Sequence, residues 1–340
     1  MKKILAALLC VCTAMSFAGC GIIKDSYQFE AMDTFMKIDV CWSPQGNFQP
    51  LDDVVKEIDD RLSTTNSDGL ENYVFQINQK GEAVTYEEIV RFANETLALC
   101  EDTGGALDVT VYPVVEEWGF ISRDYKIPSK DKLAQLLSLV DHSKVKTSEF
   151  SVWTENKGMK LDFGAVAKGY AADKVIKSLK DERANCEYAL LNLGGTVAAY
   201  GKKPDGGSWK IGITDPENTD TYMGTVSCTD KIIATSGSYE RYFEGDDGKK
   251  YSHIIDPKTG YPVDNGITSV TVISDSGLLS DGLSTALFVM GLDKAKEYYQ
   301  SRKDFDFIIL TDDKKACVTA GAAEGFTLAA GYDYETVIVE

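Results

Sequence analysis

From Tyr188 to Thr319 the chain is broken into short β-type runs that turn over every few residues, and this grammar constrains the fold more than any other feature. The runs are Tyr188 to Leu193, Trp209 to Ile213, Lys231 to Thr235, Tyr251 to Ile255, Ile267 to Ile273, Phe307 to Leu310 and Ala316 to Thr319, separated by Gly, Pro and Asp turns. Two helical patterns interrupt them, Asp281 to Met290 closed by Gly291, and Asp293 to Arg302 with Asp293 as its cap. Upstream, Thr34 to Val40 alternates apolar and polar residues as a half-buried strand does, and Leu51, Val54, Val55, Ile58 and Leu62 share one helical face. Thr85 with Glu88 forms a capping-box pattern for a helix to about Cys100, which Thr103-Gly104-Gly105 stops. Helical patterns over Lys130 to Val140 and Val166 to Leu179 flank a predicted hairpin of Phe150 to Trp153 with Met159 to Leu161. The sum is an α+β (mixed α/β) fold with an antiparallel sheet core and a smaller helical subregion over approximately residues 80–160.

At 340 residues, 44% hydrophobic and 26% charged, the chain is long and apolar enough to bury a full core. Its net charge of −18, with no Lys/Arg-rich run beyond the N-terminus, argues against a nucleic-acid partner. For an anionic ligand the positive field must come from helix N-termini, backbone amides and a divalent cation. Met1-Lys2-Lys3, the apolar stretch Ile4 to Phe17 and the small residues before Cys20 read as a signal peptide over residues 1–19. Ser16-Phe17-Ala18-Gly19-Cys20 resembles a bacterial lipobox, in which Cys20 becomes the lipidated first residue. Residues 20–26 are then a tether and 27–340 the folded domain, exported and lipid-anchored on the extracytoplasmic face of the membrane. Cys41, Cys100, Cys186, Cys228 and Cys317 are widely spaced, with no CxxC and no nearby histidine, and read as small buried hydrophobes.

Four segments carry residue types suited to chemistry. In Leu161-Asp162-Phe163-Gly164-Ala165-Val166-Ala167-Lys168-Gly169-Tyr170 a strand end passes through small residues into a helix, whose free N–H groups and the Lys168 ammonium favour an anion; the same pattern also serves as a plain tight turn. Ser280-Asp281-Gly282-Leu283-Ser284-Thr285 places Asp281 and Thr285 four apart, an oxygen pair suited to Mg²⁺, although Asp281 alone also reads as an N-cap. His253 stands at a strand end beside Asp256, as a base, a pyrophosphate-contacting donor or a turn residue, whereas His142 reads as surface. Gly104 to Pro113, followed by Trp118-Gly119-Phe120, offers a Gly-rich turn with aromatics, fit either for a flat heterocycle or for core.

Taken in order, Ala31-Met32-Asp33-Thr34, Asp60-Arg61-Leu62-Ser63-Thr64, Gly105 to Thr110, Asp162 to Gly169, Asn192-Leu193-Gly194-Gly195, Ala234-Thr235-Ser236-Gly237, His253 to Pro262 and Asp281 to Gly291 resemble the ApbE family of FAD:protein FMN transferases over nearly all of the mature chain. The resemblance implies a fold with an FAD cleft between its two subregions, FAD as substrate and Mg²⁺ as cofactor, and transfer of FMN to a Thr/Ser hydroxyl of an exported or membrane-bound redox protein with release of AMP. By motif it implies Met32, Ala106, Leu107, Asp108, Asp162, Lys168 and Ile255 as FAD contacts, and the Ala165 carbonyl, Asp281, Thr285 and Ser284 as Mg²⁺ ligands. It makes His253 the proton acceptor or pyrophosphate polariser and Lys168 a charge partner of the phosphates. Where many relatives have an aromatic after the Ser-Thr pair, this chain has Ser63-Thr64-Thr65-Asn66. An FAD pyrophosphatase and a non-catalytic flavin-binding lipoprotein are the competing readings.

Overall fold

The computed structural model describes residues 23–43, 50–65, 71–181 and 185–340. The signal peptide and Cys20 lie outside the described residues. In chain order the first part comprises β1 (Ile23–Ala31), β2 (Thr34–Trp42), α1 (Leu51–Leu62), α2 (Tyr73–Lys80), β3 (Glu82–Val84), α3 (Glu87–Asp102), α4 (Tyr112–Glu117), α5 (Lys130–Leu137), β4 (Val145–Thr147), β5 (Ser151–Thr154) and α6 (Gly164–Lys180). A run of strands follows: β6 (Cys186–Asn192), β7 (Thr196–Tyr200), β8 (Trp209–Asp215), β9 (Asn218–Cys228), β10 (Lys231–Gly237), β11 (Tyr242–Glu244), β12 (Lys250–Ser252) and β13 (Ile267–Ser274). The chain ends with α7 (Gly277–Met290), α8 (Leu292–Ser301), β14 (Phe305–Thr311), β15 (Lys315–Thr319), α9 (Ala320–Ala323), β16 (Phe326–Leu328) and β17 (Glu335–Val339).

The α+β class stands as the pattern predicts. A sheet of nine strands runs β1-β2-β6-β7-β10-β13-β14-β15-β17, antiparallel throughout except for the β15–β17 pair. Helices α1, α3, α6, α7 and α8 seal one face in the largest core, where Leu51, Val54, Val55, Ile58 and Leu62 of α1 are all buried. The other face carries a second core, in which Ile233, Ile273, Ile308 and Leu310 meet Ile211, Ile213, Met223 and Val226 of a three-stranded sheet ordered β16-β9-β8. A third core closes the region of α4 and α5 onto the segment after β12, with Trp118 donating its indole N–H to the Gly260 carbonyl at 2.7 Å.

Several local expectations differ. β1 begins at Ile23 and pairs with β2, so residues 23–26, expected in the tether, are strand. β5 pairs with β3 and β4, not with Met159 to Leu161. The latter stretch lies outside any sheet, and the Asn78 amide holds both the N–H and the C=O of Leu161. Thr85 does not cap α3: its own N–H is bonded to the Phe150 carbonyl, which keeps it with the small sheet, and Tyr86 takes the cap position with no side-chain bond. The expected helix from Lys130 stops at Leu137, and that of Asp293 is entered through Gly291 at φ 82°.

Candidate active site

The cavity floor is made by the crossing of α6 and α7. The two helices touch through glycines so closely that a Cβ on Gly169 would lie 2.0 Å from the Gly277 carbonyl oxygen, and one on Gly277 2.0 Å from that of Gly169. Gly277 also explains why the sequence misplaces the start of α7. Ser276 is the N-cap, Asp173 of α6 accepts from the N–H groups of Gly277 (2.6 Å) and Leu278 (2.9 Å), and the first turn is too rich in small residues to show a helical stripe. Asp281 is therefore not an N-cap. It sits one turn into the helix, 6% exposed, with Oδ2 accepting from Gly169 N–H at 2.8 Å and Oδ1 from the Thr196 hydroxyl at 3.2 Å.

That Gly169 N–H is the donor an uninterrupted helix would aim at the carbonyl four residues back, that of Ala165, so Asp281 competes with Ala165 for it. Thr285, one turn beyond Asp281, lines the cavity with its Oγ1 3.2 Å from the Ser236 hydroxyl. Ser284 does not line it: its hydroxyl donates to the Asp281 carbonyl at 2.8 Å and meets Ser236 Oγ at 2.7 Å, which makes it a prop for the helix. Carboxylate, hydroxyl and carbonyl oxygens suit a hard divalent cation that keeps part of its water shell. Consistent with so sparse a protein donor set, no cluster of three or more His, Cys, Asp or Glu side chains occurs among the described residues.

Asp162 precedes α6 and accepts from the Gly164 N–H at 2.7 Å. Burial pushes its carboxyl up, against the pull of that N–H and of the Lys168 and Arg241 charges. Asp281 is likewise raised by burial, partly offset by Lys168. Glu240 borders the cavity and keeps solvent exposure; desolvation of its carboxyl, offset in part by Lys168, and the neighbouring Asp281 charge push it up to about 7. Lys168 is thus the cation common to three acids. Among the described residues neither Lys168 nor Arg241 is taken up in an ion pair. In so acidic a chain, two cations that stand outside ion pairs in one cavity, beside carboxyls that burial raises, mark a place for an anion.

His253 borders the same space. Its Nδ1 lies 3.1 Å from the Arg241 carbonyl, which assigns the proton to Nδ1 and leaves Nε2 as an acceptor. Desolvation, with the Arg241 and Lys168 charges, holds it down at about 4, so the ring is neutral at pH 7. Asp256 does not orient it: that carboxylate bonds the Lys258 N–H and the Thr259 hydroxyl and builds the turn. Ile255 is buried beside this turn and lines the cavity.

The opposite wall is held by side-chain hydrogen bonds. Met32 and Asp33 form the β1–β2 turn with φ of 50° and 57°, the left-handed pair a two-residue hairpin demands, and Asp59 of α1 accepts the Met32 N–H at 2.8 Å. Ala106 and Leu107 are buried after Gly104 and Gly105, with the Leu107 N–H on the Thr103 hydroxyl at 3.3 Å. The Asp108 carboxylate borders the cavity but is spent inside the wall. It accepts from the N–H and hydroxyl of Thr110, and from the N–H (3.2 Å) and Nδ1 (3.0 Å) of His142. His142, read as surface, is half-buried and bridges Asp108 and Glu101. Burial raises the Asp108 carboxyl, yet the bonds from His142 and Thr110 outweigh it and bring it below its ordinary value, while Asp108 raises His142.

The cavity holds about 1320 Å³ and gathers Met32, Ala106, Leu107, Asp108, Asp162, Ala165, Lys168, His253, Ile255, Asp281 and Thr285 on its walls. Such a volume exceeds that of most small-ligand pockets and admits a dinucleotide. Ser63, Thr64 and Thr65 border it too, while its aromatic lining comes from Phe120, Tyr222 and Tyr239. Sequence reasoning passed over Arg241, Glu240, Thr196 and Asp173. Only the dipeptide Glu240-Arg241, charged residues just after the Thr235-Ser236-Gly237 end of β10, offered a signal.

Comparison with known proteins points to one family. The ApbE family model matches residues 32–309. An FAD:protein FMN transferase of Haemophilus influenzae is 30% identical over 336 residues, covering 92% of this chain and 94% of the relative, and one of Klebsiella pneumoniae is 36% identical over 231 residues, 67% and 70% of the two chains. Among solved structures, the ApbE protein of Thermotoga maritima aligns with a TM-score of 0.75 at 28% identity, covering 92% of this chain and 100% of that one. The flavinyl transferase ApbE of Pseudomonas stutzeri in its apo form aligns with a TM-score of 0.75 at 27% identity, over 87% and 93%.

Proposed function

The chain belongs to the ApbE family, and on that premise we propose that it transfers the FMN moiety of FAD to a Thr or Ser hydroxyl of an acceptor protein, releasing AMP. It is a transferase. The observation that carries the reading is the convergence of an all-oxygen donor set, Asp281, Thr285 and the Ala165 carbonyl, with unpaired Lys168 and Arg241 and a neutral His253 in one dinucleotide-sized cavity.

In the reaction the acceptor oxygen bonds to the FMN phosphorus as the pyrophosphate P–O bond breaks; AMP leaves with the bridging oxygen, and the hydroxyl proton is given up. His253 Nε2, free of its own proton, is the acceptor for it. A second role, polarising the pyrophosphate as a donor through Nε2, would require the charged ring that burial, with the Arg241 and Lys168 charges, disfavours. Lys168 and Arg241 hold the phosphates, and Met32, Ala106, Leu107 and Ile255 supply apolar contact for the flavin nucleotide. Asp281, Thr285 and the Ala165 carbonyl would hold Mg²⁺, which supplies offsetting charge for the pyrophosphate.

The N-terminal pattern supports an exported protein anchored to the membrane through a lipid on Cys20, acting on exported or membrane-bound redox proteins. No helix among the described residues is long and apolar enough to cross a membrane.

Incubation with FAD, Mg²⁺ and a domain bearing an exposed acceptor threonine, followed by intact-mass measurement and AMP quantification, tests the reading. One FMN per acceptor is expected, abolished by chelator and reduced by about a thousandfold in rate by Asp281→Ala with FAD still bound. AMP and free FMN without labelling would favour a pyrophosphatase, and intact bound FAD a flavin-binding lipoprotein.

A further inference from the structure

A transferase whose acceptor is a polypeptide needs a place for that polypeptide, and one edge of the small sheet supplies it. Among the described residues β8 has β9 on one side and no strand on the other. The register settles where its main-chain groups point. Ser227 donates its N–H to the Gly325 carbonyl and Met223 accepts from the Ala329 N–H, both at 2.9 Å, so residues 223, 225 and 227 of β9 turn their polar groups toward β16. The intervening residues Gly224, Val226 and Cys228 serve β8, where they face Ile213, Ile211 and Trp209. Lys210 and Gly212 therefore direct both N–H and C=O outward at the free edge. Among the described residues neither has a hydrogen-bond partner there.

This edge opens into the active-site cavity. Lys210, Ile211 and Gly212 all border it. Successive residues of a strand point to opposite faces, so three in a row meet one cavity only when the strand presents its edge. Ile211 belongs to the second core, whose Leu190, Val197 and Ile233 border the cavity with it, so the cavity reaches the seam between the two sheets at this edge. Beside the edge, the Tyr222 ring lies against Gly212, where a Cβ would come within 2.5 Å of it, and remains 63% exposed as an apolar shelf.

Resting on the transferase reading above, we propose that the acceptor polypeptide docks in extended form along β8 at Lys210 to Gly212, as a fourth strand of the β16-β9-β8 sheet that carries its Thr or Ser hydroxyl into the cavity. Two donor–acceptor pairs roughly 7 Å apart, the i to i+2 spacing of a strand, fit an extended main chain and no helix. The partner class follows: a segment of an acceptor protein that is exposed and free to become extended, recognised near the edge through its backbone more than its side chains.

The test uses the full-length enzyme, FAD, Mg²⁺ and a series of acceptor peptides, each N-methylated at one backbone position around the acceptor threonine. Where an amide faces β8, methylation removes a donor and inserts bulk. The kcat/KM for labelling is expected to fall by about tenfold at alternate positions and by less than about twofold between them. On the enzyme, Lys210→Pro removes an outward N–H without touching the β8–β9 ladder, whereas Lys210→Ala removes only the side chain. The acceptor KM of the first should exceed that of the second by about fivefold. A methylation scan without alternation, or a Lys210→Pro defect confined to the KM for FAD, would overturn the docking while the transferase reading stands. Failure of the wild-type enzyme to place FMN on any unmodified peptide would overturn both.

Discussion

The two sides of the cavity hold main-chain groups in place by opposite means. On the α6/α7 side the contact is backbone on backbone, at Gly169 and Gly277, flanked by Asp281 on the Gly169 N–H and by Asp173 on the N–H groups of Gly277 and Leu278. On the side of residues 103–112 the backbone is held at a distance by side chains, with Asp108 as hub for Thr110 and His142. The first arrangement leaves no space for a Cβ at either glycine, so it is sensitive to volume before anything else. The second tolerates volume and depends on charge.

The most severe challenge to this contrast is Gly169→Ala. A Cβ there meets the Gly277 carbonyl and the Asp281 Cβ, so the helices must part and Asp281 must move. We expect a loss of about 3 kcal/mol in stability, read by thermal or urea unfolding, with FMN transfer falling in parallel. A tolerated alanine would show that the crossing is slack and the contrast mistaken. Asp108→Asn comes next: it removes a charged acceptor from a buried hub, with an expected cost of about 2 kcal/mol and weaker FAD binding by titration. If it cost as much as Gly169→Ala, the hub would deserve equal rank as a structural keystone.

The smallest effect separates the walls by pH. Asp108 lies below its ordinary 3.8, so its contribution is complete above that value and is lost as pH falls through the folded one. His142 lies above its ordinary 6.5, so its contribution is complete below that value and is lost as pH rises through the folded one. The pair therefore stabilises most between 3.8 and 6.5. The stability gap between wild type and His142→Gln should be about 1 kcal/mol near pH 5.5 and shrink above pH 8, whereas the Gly169→Ala penalty stays level across that range. Denaturation midpoints at several pH values decide it, and a gap that grows with pH would assign His142 a different partner.

Legibility followed the strength of local pattern. α1 has a complete apolar stripe and ends where the stripe ends, and β2, β10, β13 and β14 lie on the predicted runs with small shifts at their ends. β7, with Ala198 and Ala199, and β9, polar over most of its exposed half, carry too little alternation to be recognised. The partner of β5 was misassigned because strand pairing over a long separation leaves no local trace: β3 lies about seventy residues upstream, and Asn78 occupies the stretch that sequence proximity favoured. At the site, the order of the motifs was readable, and so was the Asp281–Thr285 spacing. The removal of Ser284 from the cavity wall, the spending of Asp108 inside its loop and the placement of Arg241 beside His253 were not.

Periodicity, turn chemistry and the run of motifs determined the fold class, the apolar face of α1, the charge that a ligand has to meet and the family, because each of these is written in residues adjacent or one turn apart. The tertiary structure alone decided which carboxylates are free to act and which are spent on N–H groups, and which strand edge stays open. Those outcomes depend on groups far apart in the chain meeting at hydrogen-bond distance, as Asp281 meets Gly169 and Asn78 meets Leu161. Burial then sets their protonation.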